Sequence, residues 1–148
     1  MFASVAVADY LYDALGAISG ITSVVPTTRM TGAMVVPQGV ALPALMFHMV
    51  YSEYGGVVDS TPAQNVTSET LRFEVRIIDD GTSDSVIYPA AKAQFNALAG
   101  IQVTHTFDGA SWFLAFSAVG EIPLTTLMDG ANIYRQLGTI YTVDVFRA

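Results

Sequence analysis

The two histidines are the first side chains in this sequence to consider for acid–base catalysis or metal binding. His48 lies in the middle of an apolar run, and His105 lies in an alternating segment before a turn signal. Neither has an Asp, a Glu or a second His at the spacing of metal ligands, and the sequence contains no HExxH-type pair. We therefore interpret both as structural residues, and we predict no metal ligand.

The carboxylates form two groups that could also do chemistry. Asp9 and Asp13 are four residues apart and share one face of a predicted helix, whereas Asp79, Asp80 and Asp84 cluster around a turn. The first pair is typical of a solvated helix face, and the second group of turn formation and helix initiation. A calcium loop would need more alternating oxygen ligands and a terminal Glu.

Motifs for nucleophilic or cofactor chemistry are missing from the sequence. It has no Gly-x-Ser-x-Gly elbow, no Gly-rich phosphate loop and no dinucleotide-binding fingerprint. It also has no cysteine, which excludes thiolate metal sites and cysteine nucleophiles. We predict that the protein is not an enzyme, with no catalytic residue and no cofactor.

The content of charged residues is unusually low. They make up 13% of the chain and hydrophobic residues 52%, whereas soluble domains average roughly 25% charged residues. The net charge of −7, with one Lys and five Arg spread singly, argues against nucleic-acid binding. A free monomer would have too little polar material for its surface, so three explanations compete: membrane insertion, a secretory segment, or burial against partner chains.

A membrane span is the less favoured explanation. The longest charge-free stretch, Met30 to Ser52, contains Pro37 and Pro43, and two prolines would break the hydrogen bonding of a spanning helix. The first eight residues also lack the basic start of a signal peptide. We therefore expect partner chains to cover this stretch and a further charge-free segment, Gly109 to Gly120.

The hydrophobic periodicity predicts one domain over residues 1–148 with an α+β fold. We expect a mainly antiparallel sheet packed against two helices, in the order α-β-β-α-β-β, with long loops. Residues 22–43, 55–68 and 121–131 are predicted as connectors. The predicted elements are a helix at 4–18, a strand at 44–54 that is covered on both sides, and an alternating strand at 69–78. A second helix follows, with Ser83 or Ser85 as its cap and Gly100 just past its end. Closing strands are predicted at 101–107, 111–119 and 132–146, with a tight turn at Asp108-Gly109.

Several of these segments together resemble the tail-completion or tail-terminator proteins of long-tailed, siphovirus-type bacteriophages. The resemblance rests on the first helix, the Pro-led strand LPALMF at 42–47 and the alternating strand LRFEVRI at 71–77. It extends to the second helix, which ends near Gly100, and to the closing strand at 133–146.

The resemblance implies a structural virion protein at the head–tail interface, assembled in the host cytoplasm. Such a protein forms a hexameric ring that caps the tail tube, stops its polymerisation and provides the docking surface for the head connector. Its expected partners are further copies of itself, the tail tube protein and the head–tail connector protein. Genome DNA is expected to pass through the lumen without specific binding, and no membrane is involved.

We assign the contacts of this ring from predicted exposure and loop length. The subunit interface is assigned to the polar face of the strand at 69–78 and to the last strand, with Arg72, Glu74, Arg76, Tyr141, Asp144 and Phe146. The loop at 55–68 is assigned to the tube or lumen, with Gly55, Gly56, Asp59, Gln64 and Asn65. The alternatives are another connector or tail tube subunit, a small ligand-binding or enzymatic α+β domain, and a membrane-associated protein.

Overall fold

The computed structural model describes residues 3–32, 41–57, 66–81, 84–130 and 132–147. Its α-helices are α1 (Ala3–Gly16), α2 (Ser19–Thr22) and α3 (Asp84–Leu98), and a 3₁₀ turn spans Thr27–Arg29. Its strands are β1 (Met30–Thr31), β2 (Ala44–Val57), β3 (Val66–Asp79), β4 (Gln102–Phe107), β5 (Ala110–Asp129) and β6 (Asn132–Arg147).

All six described strands join one sheet in the order β1-β2-β3-β6-β5-β4. The last strand of the chain therefore lies at the centre, between β3 and β5. β1 runs parallel to β2, and the other neighbours are antiparallel. Strand makes up 55% of the structure and helix 29%, and the sheet curls into a half-barrel.

The predicted fold class was wrong. We expected a mainly antiparallel sheet against two helices, whereas the described residues form a curled, mixed six-stranded sheet with three α-helices. The two-residue β1 and the four-residue α2 are too short to produce a recognisable period. The parallel pairing of β1 with β2 is a long-range contact that no local pattern encodes.

The alternating pattern of β3 is confirmed, and it defines the core face of the sheet. Leu71, Phe73, Val75 and Ile77 are buried, whereas Arg72 between them is exposed. Each such apolar side chain contributes about 1.5–3 kcal/mol when it is fully buried. The stripe predicted for the first helix is also buried and joins the same core through Val7, Leu11 and Leu15.

Glu69 breaks the apolar pattern on this face. It is two residues before Leu71 on β3, so it points to the same side of the sheet, and it is only 4% exposed. Hydrogen bonding with the Ser52 side chain and with the backbone N–H of Ala3, at the start of α1, favours its charged form, and its Oε2 is buried without a hydrogen-bond partner among the described residues. Burial raises the pKa of Glu69, and these hydrogen bonds oppose the shift. A carboxylate is well placed here, since the N-terminus of a helix carries partial positive charge. Glu69 therefore helps to position α1 on the sheet.

The predicted connector at 121–131 was wrong, because β5 continues through most of it to Asp129. The prediction rested on Asp129-Gly130, a turn dipeptide, and on Pro123, since proline has no N–H for a ladder hydrogen bond. The register shifts between Ile122 and Thr125, so that Pro123 lies in a bulge.

The predicted loop at 55–68 was too long. β2 continues to Val57 and β3 begins at Val66, so Gly55 and Gly56 belong to a strand. The remaining residues assigned to a tube or lumen contact lie outside the described residues: Asp59, Gln64 and Asn65.

A buried polar network joins α3 to β6. Gln94 donates to the Thr139 hydroxyl at 2.7 Å, and the Tyr141 hydroxyl donates to the Gln94 carbonyl oxygen at 2.7 Å. Gln94 and Tyr141 are both completely buried. Burial raises the pKa of Tyr141, and hydrogen bonds with Thr139 and Gln94 oppose that shift. The network fixes the rotation of α3 about its axis, because the amide nitrogen of Gln94 has its partner in Thr139 and the amide oxygen has its partner in Tyr141.

Candidate assembly interface

Parts of the two charge-free segments are buried in the protein's own core, which explains some of the low content of charged residues without a partner chain. In the charge-free segment Gly109 to Gly120, Trp112, Leu114 and Phe116 point into the core. In the other, Met30 to Ser52, the residues 44–47 are buried. The strand at 44–54 was predicted to be covered on both sides, and this is true only of residues 44–47. Further along the strand, Val50 is 50% exposed.

A set of large apolar side chains remains exposed on the described surface. They lie on α1, α3, the outer part of β2, the second half of β5 and both ends of β6. The exposed residues are Val5, Tyr12, Met49, Val50, Tyr51, Tyr88, Phe95, Val119, Leu124, Met128, Ile133 and Phe146. Clusters of such residues are typical of interaction surfaces.

The largest exposure occurs at the end of the β5–β6 hairpin, which we call the ribbon tip (residues 127–129 and 132–134). β3 ends at the pair Asp79↔Arg135, so the three cross-strand pairs of the ribbon tip extend beyond it. Met128 and Ile133 are paired directly and are 75% and 54% exposed. A two-stranded ribbon is marginally stable in water, and here it presents apolar side chains to the solvent.

The sequence interpretation missed the ribbon tip because it assigned residues 127–129 to a connector, although it placed residues 132–134 in the closing strand. A hairpin signal was nevertheless present, since Asp129-Gly130 is a favoured turn dipeptide. Gly130 has a positive φ of 59°, as such turns require.

Both edges of the sheet are open over much of their length among the described residues. On one side, β1 pairs with Leu45 and Met46, and no other described segment pairs with the outer side of β2. On the other side, β4 covers β5 as far as Ala115, and Ile101 accepts a hydrogen bond from Phe116. Beyond Phe116, no described strand lies outside β5. Such edges have unpaired backbone groups that can accept a strand from another chain.

An ion pair connects the base of the ribbon tip to β3. Arg135 donates from Nε and one terminal nitrogen to the two carboxylate oxygens of Asp79, at 3.1 and 2.8 Å. The backbone N–H of Gly81 donates to the same carboxylate at 2.9 Å, which is the turn chemistry predicted for this segment. Asp79 is only 3% exposed. The ion pair thus holds the hairpin at the point where it leaves the sheet.

The predicted interface residues of β3 lie on the polar face of the sheet. Arg72 is exposed, whereas Arg76 donates to the Gln136 side chain at 3.2 Å. Glu74 is opposite His48 in the register and 3.4 Å from its Nε2. Burial lowers the pKa of His48, as does the charge of Arg76, while Glu74 opposes the shift.

The predicted interface residues of β6 have different environments. Asp144 accepts a hydrogen bond from the Thr70 hydroxyl at 2.8 Å. Phe146 is 46% exposed and packs against Phe113 with ring centroids 6.2 Å apart. Tyr141, in contrast, belongs to the core and offers no surface to a neighbouring chain.

A groove of about 430 Å³ lies between α3 and the β5–β6 part of the sheet. Its size is within the range of small-ligand sites. Tyr88 and Phe95 of α3 form one wall, and Lys92 and Glu121 add one charge of each sign. The groove is a second surface on which another molecule could bind.

The structure also brings together three titratable residues that the sequence interpretation treated separately. His105 Nε2 on β4 lies 2.7 Å from a carboxylate oxygen of Asp9 on α1. One ligand atom from each of Asp9, Asp13 and His105 lies within 4.8 Å of the others. The spacing of the aspartates correctly indicated a shared helix face, but the position of β4 beside that face is a tertiary feature.

The chain matches no protein-family model, and no curated protein is significantly similar to it. Among the described residues, none of the helices is both long and apolar enough to span a membrane.

Proposed function

We propose that this chain is a structural subunit of a phage virion, which forms a hexameric ring at the end of the tail tube. The ring stops polymerisation of the tube and provides the docking surface for the head connector, while genome DNA passes through its lumen. The observation that carries the assembly role is the ribbon tip, where Met128 and Ile133 are exposed beyond the end of the neighbouring strand β3. The resemblance of the chain to tail terminators supplies the identity of the assembly.

The open edges of the sheet support contacts between unlike faces. In a ring, each subunit contacts its neighbour through two different surfaces. The outer side of β2 and the outer side of β5 beyond Phe116 are two such surfaces, at opposite ends of the sheet order. An assembly that uses them would cover backbone groups and apolar side chains together.

The net charge of −7 suits a ring through which DNA passes. Copies of an acidic subunit sum to a strongly negative assembly, which repels the phosphate backbone. DNA would then move through the lumen without being held.

The oligomeric state and the ribbon tip can be tested together. Native mass spectrometry should give six times the subunit mass of 15.8 kDa, and negative-stain microscopy should show single rings. Replacing Met128 and Ile133 together with Ser should weaken assembly, by about 1–2 kcal/mol for each side chain that a neighbour buries. Val5→Ser is the matched control, because Val5 is 49% exposed but lies on α1.

Each outcome separates the proposal from an alternative. A monomer at all concentrations would contradict the assembly role, and long stacks in the microscope would identify a tube subunit instead. Addition of the protein to a polymerising tail tube should limit tube length, and unchanged tube growth would contradict the terminator role. Full assembly of the Ser variant would exclude the ribbon tip as a contact.

A second candidate is a small ligand-binding domain, which the groove between α3 and the sheet favours. Its wall residues Tyr88 and Phe95 are 60% and 44% exposed, so they are available to a ligand. A monomer that binds a metabolite tightly, and loses binding in Phe95→Ser, would support this function over the ring.

A further inference from the structure

The cluster formed by Asp9, Asp13 and His105 is independent of the assembly surfaces. Asp9 and Asp13 are one turn apart on α1, and His105 is on the edge strand β4. The three side chains are accessible to solvent to different degrees: His105 is 15% and Asp9 42% exposed, and Asp13 is also exposed. An ion could therefore reach them from the solvent.

We propose that these three side chains bind a divalent transition-metal ion of the zinc type. Zn²⁺ bonds imidazole nitrogen and carboxylate oxygen at about 2.0–2.2 Å. Adjacent ligand atoms of a tetrahedral zinc ion are then about 3.3 Å apart, so the hydrogen-bond separation of 2.7 Å between His105 Nε2 and the Asp9 oxygen would widen by about 0.6 Å when the ion binds. The oxygen of Asp13 lies within 4.8 Å of both and supplies a third ligand.

The ligand set favours zinc over calcium or magnesium. Ca²⁺ takes six to eight oxygen ligands and Mg²⁺ is held by carboxylates, phosphates and water, whereas imidazole suits Zn²⁺, Ni²⁺ and Cu²⁺. Three protein ligands also leave a position for water, as in zinc sites with an open coordination position. The histidine thus distinguishes this cluster from an ordinary group of surface carboxylates.

The imidazole is held in place by its neighbours. Tyr10 packs edge-on against His105 with ring centroids 5.4 Å apart, and Tyr10 in turn contacts Phe116 at 5.6 Å. Because these rings restrict the orientation of His105, little ordering is needed when an ion binds.

Binding requires one proton to move on the imidazole. Without an ion, the short contact is a hydrogen bond in which Nε2–H donates to Asp9. When Nε2 coordinates the ion, the proton of the neutral ring is on Nδ1 instead. The ion then connects α1 to β4 and stabilises the packing of the first helix on the edge of the sheet.

The alternative is that Asp9 and His105 form a simple hydrogen bond in which Asp13 has no part. The two explanations differ at Asp13. If an ion binds, Asp13→Asn should weaken binding by more than tenfold, since even an outer-shell partner of a metal contributes about 10–100-fold to affinity. If the contact is only a hydrogen bond, Asp13→Asn should have no effect on Zn²⁺ affinity.

Isothermal titration of the full chain with ZnCl₂, after removal of metal by a chelator and with Mg²⁺ present, measures this affinity. We expect one saturable site in the wild type, a loss of more than tenfold in Asp13→Asn, and loss of saturable binding in His105→Gln. His48→Gln is the matched control, because His48 lies beside one carboxylate, that of Glu74, but belongs to no group of three ligand residues in the described part of the chain. It should bind Zn²⁺ like the wild type.

The proposal is overturned if the wild type shows no saturable heat, or if His105→Gln and Asp13→Asn bind Zn²⁺ as the wild type does. It is also overturned if His48→Gln loses binding. If a variant fails to fold by circular dichroism, histidine-selective ¹⁵N spectra of the wild type decide the question. Addition of Zn²⁺ should shift the His105 nitrogens and leave those of His48 unchanged, and the opposite result would refute the site.

Discussion

The ion pair between Asp79 and Arg135 allows a quantitative test of how the ribbon tip is held. The Asp79 carboxylate is 3% exposed and accepts three hydrogen bonds, two from Arg135 and one from the backbone of Gly81. Removing one partner of a buried pair costs about 3–5 kcal/mol, because the other charge loses its compensation. We therefore expect Asp79→Ala to lower the free energy of unfolding by about 3–5 kcal/mol.

The pair can be separated from other effects by a double-mutant cycle. Asp79→Ala, Arg135→Ala and the double variant should be unfolded in urea at one fixed protein concentration, since assembly also contributes to apparent stability. The double variant should be less destabilised than the sum of the single variants, by up to about 3 kcal/mol. Asp80→Ala is the control: Asp80 is exposed, and an exposed ion pair contributes about 1 kcal/mol or less.

Two results would refute this reasoning. A cost below about 1 kcal/mol for Asp79→Ala would mean that the ion pair contributes no more than a surface pair. Strict additivity in the cycle would mean that the two side chains do not interact. In terms of heat stability, we expect Asp79→Ala to melt roughly 10 °C lower, at about 2–4 °C per kcal/mol for a chain of this length.

Two further predictions concern β6. A Cβ at Gly138 would overlap the Val75 carbonyl oxygen and lie 2.9 Å from Arg76 Cα, so Gly138→Ala should lower the free energy of unfolding in urea by about 3 kcal/mol or more. Gly120→Ala is the control, because its Cβ would meet only the Ile140 side chain, at 3.5 Å. Equal losses of stability in the two variants would contradict the explanation. The raised pKa of Tyr141 predicts stability that is fully present below about pH 10, the value for an unfolded tyrosine, and falls above it by up to about 1.4 kcal/mol per pH unit. Tyr141→Phe should reduce that slope in urea titrations between pH 8 and 12, and an unchanged slope would exclude Tyr141 as its source.

The sequence by itself was sufficient for the elements with a regular local pattern. The alternation from Leu71 to Ile77 predicted both the strand β3 and its buried face. The helical spacing of Val7, Leu11 and Leu15 did the same for α1. The Asp108-Gly109 turn was also predicted, and both residues have positive φ, 51° and 73°. These features depend on residues close together in the chain, so their physical causes can be read from neighbouring positions.

Local patterns failed where a single residue had two possible structural meanings. Pro123 indicated a connector, yet a bulge accommodates it within β5. Gly138 could be a bend or a close approach, and the structure shows a site with no room for a side chain beside Val75. In both cases the neighbouring strand decided the outcome.

Only the tertiary structure determined which elements are neighbours. Alternation specifies which face of a strand is buried, but not that β6 lies between β3 and β5, because many strand orders bury the same faces. That order brings His105 to Asp9 across 96 positions and Gln94 to Tyr141 across 47. The residue types of the proposed metal site and of the buried network were therefore visible in the sequence, but their proximity is a consequence of the order in which the strands pair.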